Sequence, residues 1–296
     1  MRKLSDKPLL LTVEKRYQVD MTIEVQEIGN PEGKLLACLP GMIGGAGDFR
    51  QIIEGLEKEF RILLVDTNPQ RKEQGLKGLS TEAVNAVDYR ACSDDLADYL
   101  AENHPGRSAT LIGLSIGGKI VYHFACDYPE IFASGVVSDI TPGLMGDTDL
   151  YSTVINTVES LDLTKPWNDL KQDLSNAITD RNFRVLIKSQ IFYENKNGPG
   201  QWRNGMEGLK ELLDRNTTDE LWEMLAKTQN KLNDQQKLLV FKAEYMSGIS
   251  DKDLKRLEKL SFVELIHLQN SSHFIHINSV DGVRKGLLHA LSLQKI

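Results

Sequence analysis

A serine flanked by glycines is the residue whose surroundings point most directly to chemistry. Ser115 lies in the segment GLSIG (113–117), which follows the apolar run 109–112 and precedes a helical pattern. A nucleophilic serine needs this strand–turn–helix context, because the tight turn presents its hydroxyl at the end of a strand. Gly113 and Gly117 must lack side chains if strand and helix are to pack closely. The segment therefore predicts a covalent nucleophile at Ser115.

A base for this serine is found near the end of the chain. A serine hydroxyl is a poor nucleophile until a base removes its proton, and histidine is the usual base. His273 lies in the polar loop NSSHF (270–274), between a buried-strand pattern and the closing helix. His276 competes for this role, but apolar Ile277 follows it and a polar wall of the substrate pocket suits it better. We predict His273 as the base and His276 as a substrate-binding residue.

The carboxylate that orients the histidine has several candidates. Such an acid holds the imidazole tautomer and stabilises the imidazolium. Asp139 follows the buried run 133–137, so it is expected at the same end of the sheet as the serine. The loop after the run 238–242 offers Glu244 and Asp251 instead. We predict Asp139 as the acid and keep Glu244 and Asp251 as alternatives.

Stabilisation of an oxyanion requires two backbone N–H groups that converge on one point. Ile116, the residue after the serine, supplies one amide. Met42 is the candidate for the second, because it lies in the glycine-rich loop PGMIGG (40–45) after the buried run 34–39. The neighbours of these amides are predicted to touch the substrate: Gly41, Ile43 and Leu114.

The elements that position these residues are visible as an alternation of patterns. Continuous apolar runs, typical of strands buried on both faces, occur at 34–39, 61–65, 109–112, 133–137, 238–242 and 262–268. Helical patterns lie at 48–58, 81–103, 116–126 and 279–293. Segments 9–17 and 20–28 have the alternation of an antiparallel pair at a sheet edge. The alternation predicts an α/β fold, with a mostly parallel sheet and helices on both faces.

The alternation stops between residues 143 and 234, which are mostly helical in pattern and contain no buried-strand run. We therefore predict that 1–142 and 235–296 form one core and that 143–234 form a helical cap. The aromatic residues of this cap either line an apolar acyl pocket or pack against the core: Trp167, Phe183, Phe192, Trp202 and Trp222.

Composition excludes several other classes of protein. The 296 residues include 35 Lys and Arg against 42 Asp and Glu, a net charge of −7, which argues against nucleic acid as a partner. No apolar stretch reaches the length of a membrane span. Three cysteines without a CxxC pair predict reduced structural thiols in a cytoplasmic protein. No metal-binding motif is present, and we expect no metal and no cofactor.

The set of motifs resembles the α/β-hydrolase superfamily over about residues 20–145 and 235–295. Within it, the chain is similar to a branch of small bacterial and mitochondrial acyl esterases. In that branch the catalytic acid follows the sixth strand, as strands are counted in the family, in a motif like D-I-x-P. The segment DITP (139–142) matches that motif, and the segments TDRNF (179–183) and QWRN (201–204) also resemble the branch. The resemblance implies Asp139 as the acid and esterase activity.

The chain departs from this family at three places. Pro40 replaces a histidine before the oxyanion loop, Leu114 replaces the common histidine before the nucleophile, and DTNPQR (66–71) replaces a glycine-rich stretch. These changes alter the floor and rim of the pocket, so they affect the substrate more than the mechanism.

The predicted reaction is acyl transfer to water, with a small-molecule ester or thioester that carries an apolar acyl group. Two alternatives remain open. One is a carbon–carbon bond hydrolase or a cofactor-free oxygenase that uses the same serine, histidine and aspartate. The other is a ligand receptor without catalytic activity. The sequence specifies neither the acyl chain length, nor the leaving group, nor the oligomeric state.

Overall fold

The computed structural model describes residues 23–41, 45–67, 88–143, 148–189, 191–193, 198–202 and 220–293. The strands are β1 (Glu24–Gly29), β2 (Lys34–Leu39), β3 (Phe60–Asp66), β4 (Ala109–Leu114), β5 (Phe132–Ser138), β6 (Ile191–Tyr193), β7 (Gly200–Trp202), β8 (Leu238–Ala243) and β9 (Val263–Leu268). The helices are α1 (Arg50–Ile53), α2 (Tyr89–Asn103), α3 (Gly117–Asp127), α4 (Asp149–Ser160), α5 (Trp167–Ala177), α6 (Arg181–Ser189), α7 (Glu220–Thr228), α8 (Asp251–Leu257), α9 (Ile275–Asn278) and α10 (Val280–Leu293).

A seven-stranded sheet, ordered β1-β3-β2-β4-β5-β8-β9, forms the centre of the fold. All its neighbouring strands are parallel except β1, which runs antiparallel to β3 at one edge. The carboxyl ends of β4, β5, β8 and β9 therefore lie side by side. The predicted α/β fold with a mostly parallel sheet is confirmed.

The inner strands β2, β4, β5 and β8 are buried along nearly their whole length because both faces of the sheet are covered. In β2, Leu35 belongs to one core cluster and its neighbour Leu36 to the other. The first cluster, here the α3-side core, includes Leu96 of α2 and Ile120 of α3. The second, here the α10-side core, includes Leu287 of α10. An alternating polar strand would leave one of these cores unfilled.

One local feature differs from the sequence-based expectations, and two others fall partly outside the described residues. The helix predicted at 48–58 is a 3₁₀ turn, the short helix α1 and a second 3₁₀ turn, because Gly55 adopts φ +83° and interrupts it. Strand β1 pairs with β3, whereas its predicted partner 9–17 lies outside the described residues, as do residues 81–87 of a predicted helix.

The described part of segment 143–234 contains α4 to α7 and a ribbon in which β6 and β7 pair antiparallel. The sequence patterns did not predict this ribbon, since strands of three residues are too short to show a period. Strand β8 returns to the sheet beside β5. The division into a core and a cap stays a prediction.

The cysteines Cys38, Cys92 and Cys126 are free and buried. Among the described residues, no helix combines the length and the apolar character that crossing a bilayer requires.

Candidate active site

Ser115 occupies the tight turn between β4 and α3. Its backbone has φ +50°, a conformation that L-residues rarely adopt, and its N–H donates to the carbonyl of Ser138 at 3.1 Å. A side chain on Gly113 would collide with the backbone of Gly117, and a side chain on Gly117 would collide with the carbonyl of Leu39. The glycines are therefore required by the close packing of the turn, as the sequence predicts.

The structure brings together the three residues predicted to carry the chemistry. His273 Nε2 lies 2.8 Å from Ser115 Oγ, and His273 Nδ1 lies 2.9 Å from Asp139 Oδ2. The three residues come from the ends of β4 and β5 and from the loop after β9. His273 is 5% exposed and Asp139 is fully buried, so water does not compete for the hydrogen bond between them.

The carboxylate of Asp139 accepts three hydrogen bonds besides that of His273. The backbone N–H of Ala243 and the hydroxyl of Ser247 donate to Oδ1 at 2.8 and 2.7 Å. The backbone N–H of Gly248 donates to Oδ2 at 2.9 Å. A buried carboxylate is tolerated only when it is paired and hydrogen-bonded, and this set of donors meets that requirement.

Ser247 and Gly248 contact Asp139, and the sequence patterns did not identify them. Both lie in the loop after β8, where the sequence indicated only the alternative acids Glu244 and Asp251. A side chain on Gly248 would collide with the carbonyl oxygen of Asp139 and would come within 3.4 Å of His273 Cε1. The sequence feature that could have identified these two residues is the Ser-Gly pair itself, a few residues after the buried strand β8.

The two alternative acids, Glu244 and Asp251, have different surroundings. Glu244 is exposed, and its carboxylate accepts a hydrogen bond from the backbone N–H of Asn270 at 2.5 Å. Asp251 is exposed at the first position of α8. Both ring nitrogens of His273 are already engaged by Asp139 and Ser115. The geometry therefore favours Asp139 over the two alternatives.

The predicted oxyanion hole is described only in part. Ile116 immediately precedes α3, where a helix leaves its first N–H groups without intrahelical partners. Met42 and Ile43 lie outside the described residues. Gly41 lies next to the nucleophile, since a Cβ built on it would be 3.5 Å from Ser115 Cβ.

The two remaining predicted pocket residues differ in their surroundings. Leu114 is 1% exposed and packs in the α10-side core, so its predicted contact with a substrate stays a prediction. Burial lowers the pKa of His276 to about 4, with a smaller rise from Asp48 and a further lowering from His273. A neutral imidazole at pH 7 suits a polar pocket wall.

Backbone strain is concentrated at this edge of the sheet. Among the described residues, the positive φ values outside glycine belong to Ser115, Asp139, Met246 and Asn270. These residues follow β4, β5, β8 and β9, respectively. A non-glycine residue in this region costs about 1–3 kcal/mol and persists only where its surroundings hold it.

Within the part of the chain that the structure describes, no group of three or more His, Cys, Asp or Glu side chains is placed to hold a metal ion. The expectation that the protein needs no cofactor stays a prediction.

Several known proteins are similar to this chain in sequence or in fold. The zebrafish (Danio rerio) sn-1-specific diacylglycerol lipase ABHD11 is 22% identical over 268 residues, covering 87% of this chain and 78% of the relative. A marine microorganism esterase superposes with a TM-score of 0.64 at 18% identity, covering 91% of this chain and 99% of the esterase. An E-2-(acetamidomethylene)succinate hydrolase gives a TM-score of 0.62 at 16% identity, covering 91% and 95%.

The similarity to the zebrafish protein fits the predicted resemblance to small acyl esterases. The family model described as the alpha/beta hydrolase fold matches residues 34–279, which is most of the sequence. The chain therefore belongs to the α/β-hydrolase fold family.

Proposed function

We propose that the protein is a serine hydrolase that cleaves a carboxylic ester or thioester through an acyl-enzyme on Ser115. The observation that carries this proposal is the continuous hydrogen-bonded path from Asp139 through His273 to Ser115, with distances of 2.9 and 2.8 Å. A serine whose hydroxyl faces an oriented imidazole is activated for attack on a carbonyl carbon.

In the proposed reaction, His273 Nε2 accepts the hydroxyl proton while Ser115 Oγ attacks the carbonyl carbon of the substrate. Asp139 holds the Nδ1–H tautomer and stabilises the imidazolium. The backbone N–H groups of Ile116 and Met42 are the proposed donors to the oxyanion. His273 then protonates the leaving group and activates a water molecule, which releases the acid and regenerates the serine.

We further propose that residues 143–234 act as a cap over the site and make it apolar. Phe183 of α6 is 1% exposed and stacks on Phe274, with ring centroids 5.9 Å apart. Phe274 in turn meets the ring of His273 edge-on at 5.5 Å. An aromatic pair that links this segment to the catalytic histidine supports a small-molecule substrate with an apolar acyl group. One relative is named a diacylglycerol lipase and another an esterase, and these names support the same class of substrate.

The proposal is tested with p-nitrophenyl esters of increasing acyl length, assayed with the wild type and with Ser115→Ala. We expect turnover by the wild type and background hydrolysis by Ser115→Ala. Equal, slow hydrolysis by both proteins would overturn the proposal. Ligand binding without turnover would then support a receptor, whereas carbon–carbon cleavage or oxygen uptake would support one of the alternative enzymes.

A further inference from the structure

Lys119 is a buried lysine that the proposed reaction does not use. It lies on α3, four residues after Ser115, and is 2% exposed. Its Nζ donates to the backbone carbonyl of Gly143 at 2.8 Å and to that of Pro142 at 3.5 Å. Burial lowers the pKa of Lys119 to about 7, with a partial rise from Asp253. A buried amino group needs hydrogen-bond partners, and here they are two carbonyls that lie three and four residues after Asp139.

The same face of α3 makes a second contact with this stretch. Tyr122 lies three residues after Lys119, which places the two side chains side by side on a helix. The fully buried hydroxyl of Tyr122 donates to the carbonyl of Ile140 at 3.1 Å. Lys119 and Tyr122 together bind three carbonyls of the segment 139–143, here called the acid segment. The helix that begins after the nucleophile thus also holds the chain that carries the acid.

The opposite side of the acid segment is bound by the region after β8. The N–H of Thr141 donates to the carbonyl of Gly248 at 3.2 Å, and its hydroxyl donates to Asp253 Oδ2 at 2.8 Å. The N–H of Gly143 donates to the hydroxyl of Thr141 at 3.1 Å. The acid segment is therefore clamped between α3 and the β8–α8 region, and Lys119 provides two of the hydrogen bonds on the α3 side.

We propose that Lys119 is a positioning residue for Asp139, which fixes the acid segment so that the carboxylate stays aligned with His273. The inference rests on the proposed function of the site. Its physical basis is that Asp139 has φ +49°, so its turn relaxes unless neighbouring groups hold it. Loss of the Lys119 amino group leaves two buried carbonyls without their donor, and the segment shifts to find another.

The test replaces the buried lysine with an apolar side chain of similar length, Lys119→Met, and compares this variant with Lys255→Met at an exposed lysine of α8. We expect kcat for a p-nitrophenyl ester to fall about 10- to 100-fold with KM nearly unchanged, because small misplacements of catalytic groups cost rate rather than binding. Lys255→Met is expected to match the wild type. Wild-type kcat in a folded Lys119→Met protein would overturn the proposal.

A spectroscopic readout separates this inference from the proposed function. The low-field proton resonance of His273 Nδ1–H reports its hydrogen bond to Asp139 whether or not the protein turns over an ester. We expect this resonance to shift or broaden in Lys119→Met and to be unchanged in Lys255→Met. If the wild type lacks esterase activity while the resonance still responds to Lys119→Met, the proposed function fails and the positioning role stands. An unchanged resonance in Lys119→Met contradicts the positioning role.

If Lys119→Met does not fold, Tyr122→Phe takes its place, because it removes only the hydroxyl that binds the carbonyl of Ile140. The expected result is a smaller loss of kcat and a smaller shift of the same resonance. A folded Tyr122→Phe protein with wild-type kcat and an unshifted resonance would likewise overturn the proposal that α3 fixes the acid segment.

Discussion

The hydroxyl of Ser247 donates a hydrogen bond of 2.7 Å to Oδ1 of Asp139, across 108 positions of sequence. The two residues follow different strands. Ser247 lies after β8, and Asp139 lies after β5. The end of β8 and the loop after it do not supply the acid that contacts His273, but they donate three hydrogen bonds to it, through Ala243, Ser247 and Gly248. These donors form a cradle for a carboxylate that follows the neighbouring strand β5.

Removal of the Ser247 hydroxyl tests that cradle. Ser247→Ala deletes one donor to a buried carboxylate, so we expect a loss of about 1.5–3 kcal/mol in the free energy of unfolding and a lower kcat. Urea denaturation and ester turnover measure the two effects. Ser175→Ala, at an exposed serine of α5, is the matched control and should change neither. A Ser247→Ala protein as stable as this control would contradict the cradle.

The choice of acid is tested by amide substitutions at the three candidates. Asp139→Asn keeps the shape of the side chain but favours the wrong histidine tautomer, so we expect kcat to fall by a factor of order 10⁴. Glu244→Gln and Asp251→Asn should retain near wild-type kcat. A severe loss in Asp251→Asn together with an active Asp139→Asn would assign the acid to the loop after β8.

The loops after β5 and β8 lie in close contact. We therefore expect alanine substitutions at two glycines to have very different effects on stability. A methyl group on Gly248 would collide with the carbonyl of Asp139, whereas Gly47 has open space around it. We expect Gly248→Ala to lose about 1–3 kcal/mol of stability through overpacking, and its ester turnover should fall as well. Gly47→Ala should stay within about 0.5 kcal/mol of the wild type. Equal stability of the two variants in thermal and urea unfolding would show that the loops are not tightly apposed.

A charged cluster far from the site predicts how stability depends on pH. Burial raises the pKa of Glu27, but hydrogen bonds from His104, Tyr99 and Arg61 outweigh it and lower the pKa from 4.5 to about 2. A group whose pKa is lower in the folded state stabilises the fold above its unfolded pKa, and this contribution disappears as the pH falls through the folded value.

We therefore expect the stability difference between the wild type and Glu27→Gln to be constant above about pH 5 and to shrink as the pH falls toward 2. Chemical denaturation at a series of pH values measures it. A difference that grows as the pH falls would contradict the assigned direction of the pKa shift.

The sequence was informative where a residue directly follows a buried strand. Ser115, Asp139 and the loop of His273 could be located because apolar runs mark strands and parallel strands end at one edge. The donors Ser247 and Gly248 were missed, since their role depends on contact with a residue about a hundred positions away. Their hydrogen bonds come from one hydroxyl and one backbone N–H group, which leave no pattern in a single sequence.

The sequence also contains no pattern from which the burial of Lys119 or the ribbon of β6 and β7 could be predicted. A lysine in a helical pattern is ordinarily solvated, and its burial against Gly143 is a property of the packed fold. Strands β6 and β7 are too short to show periodicity. Gly55 could be read as a helix breaker only once its φ of +83° was known.

The most direct test of the proposed chemistry is covalent labelling with a fluorophosphonate probe, followed by peptide mapping of the modified residue. The proposal predicts a single adduct on Ser115 Oγ, slower labelling of Asp139→Asn, and no labelling of Ser115→Ala. An adduct on another residue, or a wild-type protein that stays unlabelled while folded, would contradict the assignment of Ser115 as the nucleophile.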